Sequence, residues 1–92
     1  MRRLRWSRLA RTQLFEIANH YRELDPALAI DMLERIEACP APLLDFPHIG
    51  SPTTDGTRKW QARKTPFILF YDVDDDAIEI VSIHHVRSNY PT

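Results

Sequence analysis

The order of elements predicts an α+β fold, β-α-α-β-β-β, with an antiparallel sheet packed on one face by an α-helical hairpin. Two helix-period stretches follow one another directly, so helices do not alternate with strands as a parallel sheet requires. Two apolar runs near the C-terminus, Phe67–Val73 and Ala77–Ile83, are joined by the acidic turn Asp74-Asp75-Asp76 and read as a hairpin. A basic segment, Arg58 to Lys64, precedes them as a candidate third strand.

Arg2-Arg3-Leu4-Arg5-Trp6 alternates cations with apolar residues, which suits a short strand with Leu4 and Trp6 on one face. Ser7 stands where an N-cap accepts a backbone N–H, and Leu9 to Leu24 contains no proline or glycine, so a helix starts there. Ala10, Leu14, Ile17, Ala18 and Tyr21 form its buried stripe. Asp25-Pro26 pairs an N-cap with proline at the first helical position and opens a second helix. Ile30, Leu33 and Ile36 are its expected inner stripe, extended by Leu43 and Leu44 if the helix continues. Pro40 and Pro42 oppose that continuation, at roughly 3 kcal/mol each in a helix interior, and predict a break near Ala38–Cys39 with a short last turn around Pro42–Asp45.

Phe46 to Gly56 reads as loop, with Asp55-Gly56 as its tight turn. In the hairpin, Phe67, Leu69, Tyr71 and Val73 share one parity and Ile68 and Phe70 the other, so this strand is apolar on both faces and central. The next strand shifts from Ile78 and Ile80 to Val81 and Ile83, which signals two-sided burial or a β-bulge. The expected working surface is the sheet face away from the helices.

Ninety-two residues suffice for one small domain spanning 1–92. The single cysteine, Cys39, excludes an internal disulfide and a cysteine-built zinc site, and suits a reducing cytoplasm. No run approaches membrane-spanning length. The net charge of −1 conceals segregation: residues 1–13 hold five arginines and no acid, residues 58–64 hold four cations, and residues 72–79 hold five acids. Such blocks create local potentials suited to nucleic acid or an acidic partner, or serve simply as solvated faces.

Read in order, Trp6-Ser7, Ile17 to Tyr21, Asp25-Pro26-Ala27-Leu28-Ala29, Phe46-Pro47-His48-Ile49-Gly50, Gly56-Thr57-Arg58, Thr65-Pro66-Phe67-Ile68-Leu69-Phe70-Tyr71 and Ile78-Glu79-Ile80-Val81 to His85 carry a resemblance. The chain resembles the RelE/ParE superfamily of toxins from bacterial type II toxin–antitoxin systems, across essentially its whole length. The resemblance implies growth inhibition neutralised by a cognate antitoxin, with which the toxin forms a hetero-oligomer, and no cofactor. The second helix departs from the pattern at Pro40 and Pro42, and His84 stands where an apolar residue is commoner.

RelE-like members are described as metal-independent endoribonucleases that cut mRNA on the ribosome, attacking phosphate with a ribose 2′-hydroxyl. Such chemistry needs cations on the developing charge and a group that moves a proton. Arg58, Arg63 and Arg87 suit phosphate, with Lys59 and Lys64 adding charge. His85 or Tyr90 suits acid–base work, and Trp60 or Tyr90 suits stacking on a base. The competing reading makes Arg58, Lys59, Arg63 and Lys64 a solvated strand face, His84 and His85 satisfied strand residues, and Trp60 core. ParE-like members are described as inhibitors of DNA gyrase with no assigned hydrolytic site. Few basic residues beside an acidic helical hairpin favour that target over ribosomal RNA, with the ribonuclease second and a non-toxic binding module third.

Overall fold

The computed structural model describes residues 2–88. Its elements run β1 (Arg3–Trp6), α1 (Arg8–Leu24), α2 (Pro26–Ala38), α3 (Ala41–Asp45), β2 (Ser51–Pro52), β3 (Arg58–Gln61), β4 (Phe67–Val73) and β5 (Ala77–His85). The strands form one sheet in the order β1-β5-β4-β3-β2.

Local chemistry sets the helix ends. Ser7 Oγ accepts the Ala10 N–H at 3.0 Å and donates to the Val81 carbonyl at 2.6 Å, so one hydroxyl both caps α1 and ties it to β5. Asp25 Oδ1 accepts the Ala27 N–H at 3.0 Å to start α2. Helix α2 stops at Ala38 before Pro40, and α3 restarts around Pro42, as the two prolines require.

The inner stripe of α2 differs from expectation. Ala29, Met32 and Ile36 are buried, while Ile30 is 60% exposed and Leu44 38% exposed. The three residues repeat at the i, i+3, i+7 spacing of one face, and the break at Cys39 detaches Leu44 from that stripe. Leu43, on α3, does enter the core.

The sheet is mixed. β2 to β5 are antiparallel, but β1 lies parallel to β5 with Leu4 opposite Ile78 and Trp6 opposite Ile80. Between β1 and the strands that follow it, the chain crosses the sheet through the helices, and β1 closes the edge beside β5. The segment read as loop also contributes the two-residue β2. Val81 has no partner on β4, since Phe70 faces Ser82 and Tyr71 faces Ile80. This bulge produces the parity shift seen in the sequence.

Ala10, Met32, Ile36 and Leu43 from the helices form one core with Leu69, Tyr71, Ile78, Ile80 and Ile83 of the sheet. The other sheet face is not bare: Ile68, Phe70 and Ser82 are buried there too, so β4 is apolar on both sides for a structural reason.

Candidate target-binding surface

Beneath the candidate surface lies a clamp built from buried polar groups. Tyr71 is fully buried and donates its hydroxyl to the Pro47 carbonyl at 2.8 Å, while accepting the Gly50 N–H at 2.9 Å. Arg58 Nη1 reaches the carbonyls of His48 at 3.0 Å and Gly50 at 2.8 Å. Gly50 is required by this close approach, because a Cβ there would sit 2.5 Å from Tyr71 Oη and 2.8 Å from the Lys59 carbonyl. Burial pushes the Tyr71 phenol up from its ordinary value, which keeps it a neutral donor. The loop from Phe46 to Gly50 is thereby fixed from below while Phe46 and Ile49 face solvent.

The turn from β2 into β3 is a second polar knot. Asp55 accepts from the Thr53 and Thr57 hydroxyls and the Thr57 N–H, and these bonds bring its carboxyl down to about 2. Gly56 follows at φ 91°, the conformation that favours glycine.

The basic segment proves to be two structures rather than one strand. β3 ends at Gln61; Arg63 and Lys64 lie in the turn to β4, with Lys64 at φ 62°. Ala62 donates its N–H to the Phe67 carbonyl, and Thr65 braces the turn by donating its hydroxyl to the Ala62 carbonyl at 2.7 Å. Arg35 of α2, held by Asp31 at 2.9 Å, donates to the Lys64 carbonyl at 3.0 Å. Val86 donates its N–H to the Pro66 carbonyl at 2.8 Å, so the end of β5 runs beside this turn.

Facing residues on paired strands share a face. Trp60 stands opposite Leu69 and Arg58 opposite Tyr71, so both point to the helix side, whereas Lys59, opposite Phe70, points to the other. The expectation that the cations gather on the uncovered face is therefore corrected: strand alternation divides Arg58 and Trp60 from Lys59, and Arg63, Lys64 and Arg87 occupy turns. Trp60 packs against the core and donates Nε1–H to the Cys39 carbonyl at 2.9 Å, a structural role.

What the fold does assemble is one end of the sheet. Arg63 and Lys64 cap the β3–β4 turn, and His85 and Arg87 leave the adjacent strand, all four exposed. The Arg87 N–H donates to His85 Nδ1 at 3.1 Å, which makes Nδ1 the acceptor and leaves the proton on Nε2. His85 also meets Phe67 edge-to-face at 5.5 Å, and Phe67 meets Tyr21 at 6.3 Å. Together with Glu16, Ile17 and His20 these rings line a concavity of about 280 Å³. Tyr90 lies outside the described residues. His84 Nε2 contacts Ser82 Oγ at 3.1 Å on the opposite sheet face.

Cys39 lines an apolar recess of about 260 Å³ with Ala38, Pro42, Trp60 and Arg63. Burial pushes its thiol up to about 12, so it is a packing residue and not a nucleophile. Among the described residues no cluster of three or more His, Cys, Asp or Glu is arranged to hold a metal, and no helix is long and apolar enough to cross a membrane.

Sequence reasoning missed Arg35, which anchors the basic turn, and Gln13, whose Oε1 accepts the Ile83 N–H at 2.6 Å where β1 has ended. Both act on backbone groups 29 and 70 positions away, and no local pattern marks such a contact. Tyr21 was legible only as a stripe residue of the first helix, and His20 carried no signal of its own.

A helical hairpin over a five-stranded mixed sheet, with a cationic turn beside the end of the last strand, defines a small single-sheet α+β domain. Residues 4–90 match the profile of the ParE toxin of the type II toxin–antitoxin system parDE, and the chain belongs to that family. It is 29% identical over 91 residues, 98% of this chain and 94% of the other, to Y4kP of Sinorhizobium fredii (strain NBRC 101917 / NGR234), described as a candidate toxin. The chromosomal ParDE toxin–antitoxin structure from P. aeruginosa matches with a TM-score of 0.82 and 27% identity, covering 92% of this chain and 96% of that one. The protein is thus a type II toxin, and its partner class is an antitoxin.

Proposed function

We propose that this toxin arrests growth in the cytoplasm by acting on DNA gyrase, through the exposed sheet end formed by Arg63, Lys64, His85 and Arg87. The observation that carries this reading is the commitment of Arg58. Its guanidinium is anchored through Nη1 to the carbonyls of His48 and Gly50, and the half-buried Trp60 ring packs against the core and donates to the Cys39 carbonyl. A nuclease that cleaves RNA needs several free cations converging on one phosphate together with a stacking platform. Here two of the residues suited to those tasks hold the fold, while the remaining cations suit a protein surface with carboxylates.

Inducing the toxin alone, while following plasmid supercoiling, DNA-damage signalling and bulk translation, tests the reading. Early loss of supercoiling with translation intact is expected. Early arrest of translation with cleaved mRNA would replace gyrase by the ribosome, and growth without arrest would make the chain a non-toxic binding module.

A further inference from the structure

We infer that the recess at the break between α2 and α3 is a specificity pocket, which receives one large apolar side chain from an acidic, extended segment of gyrase; this rests on the gyrase reading above. The prolines make the recess. Ala38 and Cys39 end α2 and Pro42 lies in the first turn of α3, and with Trp60 of β3 they line an apolar hollow of about 260 Å³. The second helix departs from the family pattern at Pro40 and Pro42, so the hollow follows from this sequence and not from the fold alone. Its walls are set in advance. Trp60 packs against the core and is held by its Nε1–H bond to the Cys39 carbonyl at 2.9 Å, so an occupant meets a formed cavity and little ordering is needed on binding.

Beside the hollow the edge of β3 is open. Ala62 donates its N–H to the Phe67 carbonyl on one side of the strand, and the Thr57 carbonyl accepts from the Thr53 N–H on the other. By the two-residue period, Trp60 turns its backbone groups toward β4 while Lys59 and Gln61 turn theirs outward. β2 covers Lys59 through Ser51 and has no residue opposite Gln61. Among the described residues the Gln61 carbonyl meets only the Cys39 thiol, at 4.0 Å, and the Gln61 N–H has no partner. An extended segment bonds to these two groups while a side chain on its helix side fills the hollow.

Charge specifies the occupant. The charged residues that line the hollow are Arg35 and Arg63, and no carboxylate joins them there. Arg35 is satisfied by Asp31 and the Lys64 carbonyl, whereas Arg63 is exposed and makes no hydrogen bond or ion pair among the described residues. A free guanidinium at the rim of an apolar hollow selects an apolar side chain with a carboxylate beside it and opposes a basic segment. A nucleic acid would engage Arg63, but its polar base edges would meet walls that are almost wholly apolar.

The test is binding of purified gyrase, and separately of the antitoxin, to the full chain as wild type, Ala38→Trp and Arg63→Glu. Ala38 is exposed at the end of α2, so the larger side chain fills the hollow from its rim without entering the core. With antitoxin affinity and melting temperature unchanged, Ala38→Trp weakens gyrase binding by about 30-fold or more and Arg63→Glu by about tenfold. Gyrase slows amide exchange in wild-type peptides that contain Gln61 by about tenfold, and leaves it unslowed in Ala38→Trp. Either variant binding gyrase as tightly as the wild type overturns the inference and leaves the gyrase reading standing; Arg63→Glu, on an exposed turn, keeps that outcome readable if Ala38→Trp melts early. A toxic wild-type chain that does not bind gyrase overturns the gyrase reading, and the occupant named here with it. Loss of antitoxin binding in Ala38→Trp with gyrase binding intact assigns the hollow to the antitoxin and overturns the inference too.

Discussion

The Tyr71 clamp and the cationic sheet end lie on the same antiparallel hairpin system, yet they differ in almost every physical respect. The clamp is buried, neutral at its centre and satisfied in every bond; the sheet end is exposed, charged and built on turns. Several of the motifs that carry the family resemblance, Phe46 to Gly50, Gly56-Thr57-Arg58 and the stretch from Thr65 to Tyr71, map onto the clamp and its turn. They encode scaffold. A family resemblance carried by such residues therefore says more about what the chain folds into than about what it attacks.

The largest expected effect is at Gly50. Gly50→Ala puts a methyl 2.5 Å from Tyr71 Oη and against the Lys59 backbone, and neither a core ring nor a paired strand moves freely. A loss of about 3 kcal/mol, read from chemical denaturation, is expected. If the loss is below about 1 kcal/mol, the loop is not clamped and the contrast between the two regions collapses.

Tyr71→Phe is the milder version. It keeps the ring but strands the Gly50 N–H and the Pro47 carbonyl, for about 2 kcal/mol. The pH dependence has a definite sign. The folded phenol has a raised pKa and the unfolded one titrates near its ordinary value of about 10. The contribution is thus fully present below about pH 10 and is lost as pH rises toward the folded value, so the wild-type melting temperature falls in that alkaline window more steeply than that of Tyr71→Phe.

How much of this was legible in the sequence divides along the same line. Ser7, Asp25, Pro40 and Pro42 fixed helix boundaries because caps and prolines act on their own neighbours. The parity shift at Val81 gave away the bulge for the same reason. The parallel pairing of β1, the exposure of Ile30 and the use of Arg58 as a loop brace were not legible. Each depends on which distant segment arrives alongside: β5 for β1, the packing partners of α2 for Ile30, and the Pro47 to Gly50 loop for Arg58. The candidate site fared worse than the fold, since a run of cations reads alike on a strand and in a turn.

At the sheet end the expected pattern inverts. Arg63→Ala and Arg87→Ala each change stability by less than about 0.5 kcal/mol, because exposed side chains away from caps and buried networks contribute little, and His85→Ala costs about 1 kcal/mol, since it also removes the ring against Phe67 and the acceptor of the Arg87 N–H. Each relieves growth arrest on induction if it belongs to the working surface. Unchanged toxicity in all three variants, with normal expression, would move that surface elsewhere on the molecule.

The smallest effect belongs to Asp55, and it tests whether local bonding alone separates the two regions. Its carboxyl sits at about 2, first through the Thr53 hydroxyl and then through Thr57, although it is fully exposed. A depressed carboxylate contributes stability that is present above its unfolded value near 4 and is lost as pH falls toward about 2. Because the group faces water, that contribution is small, and the global melting temperature barely responds. The response is local: the Thr57 amide resonance shifts with a midpoint near pH 2, and Thr53→Val, which deletes the hydroxyl that donates to Asp55, raises that midpoint toward the ordinary value. A wild-type midpoint already near 4 would mean that the turn opens in solution, and that the conformation of Gly56 rests on the β2–β3 pairing instead of on the aspartate.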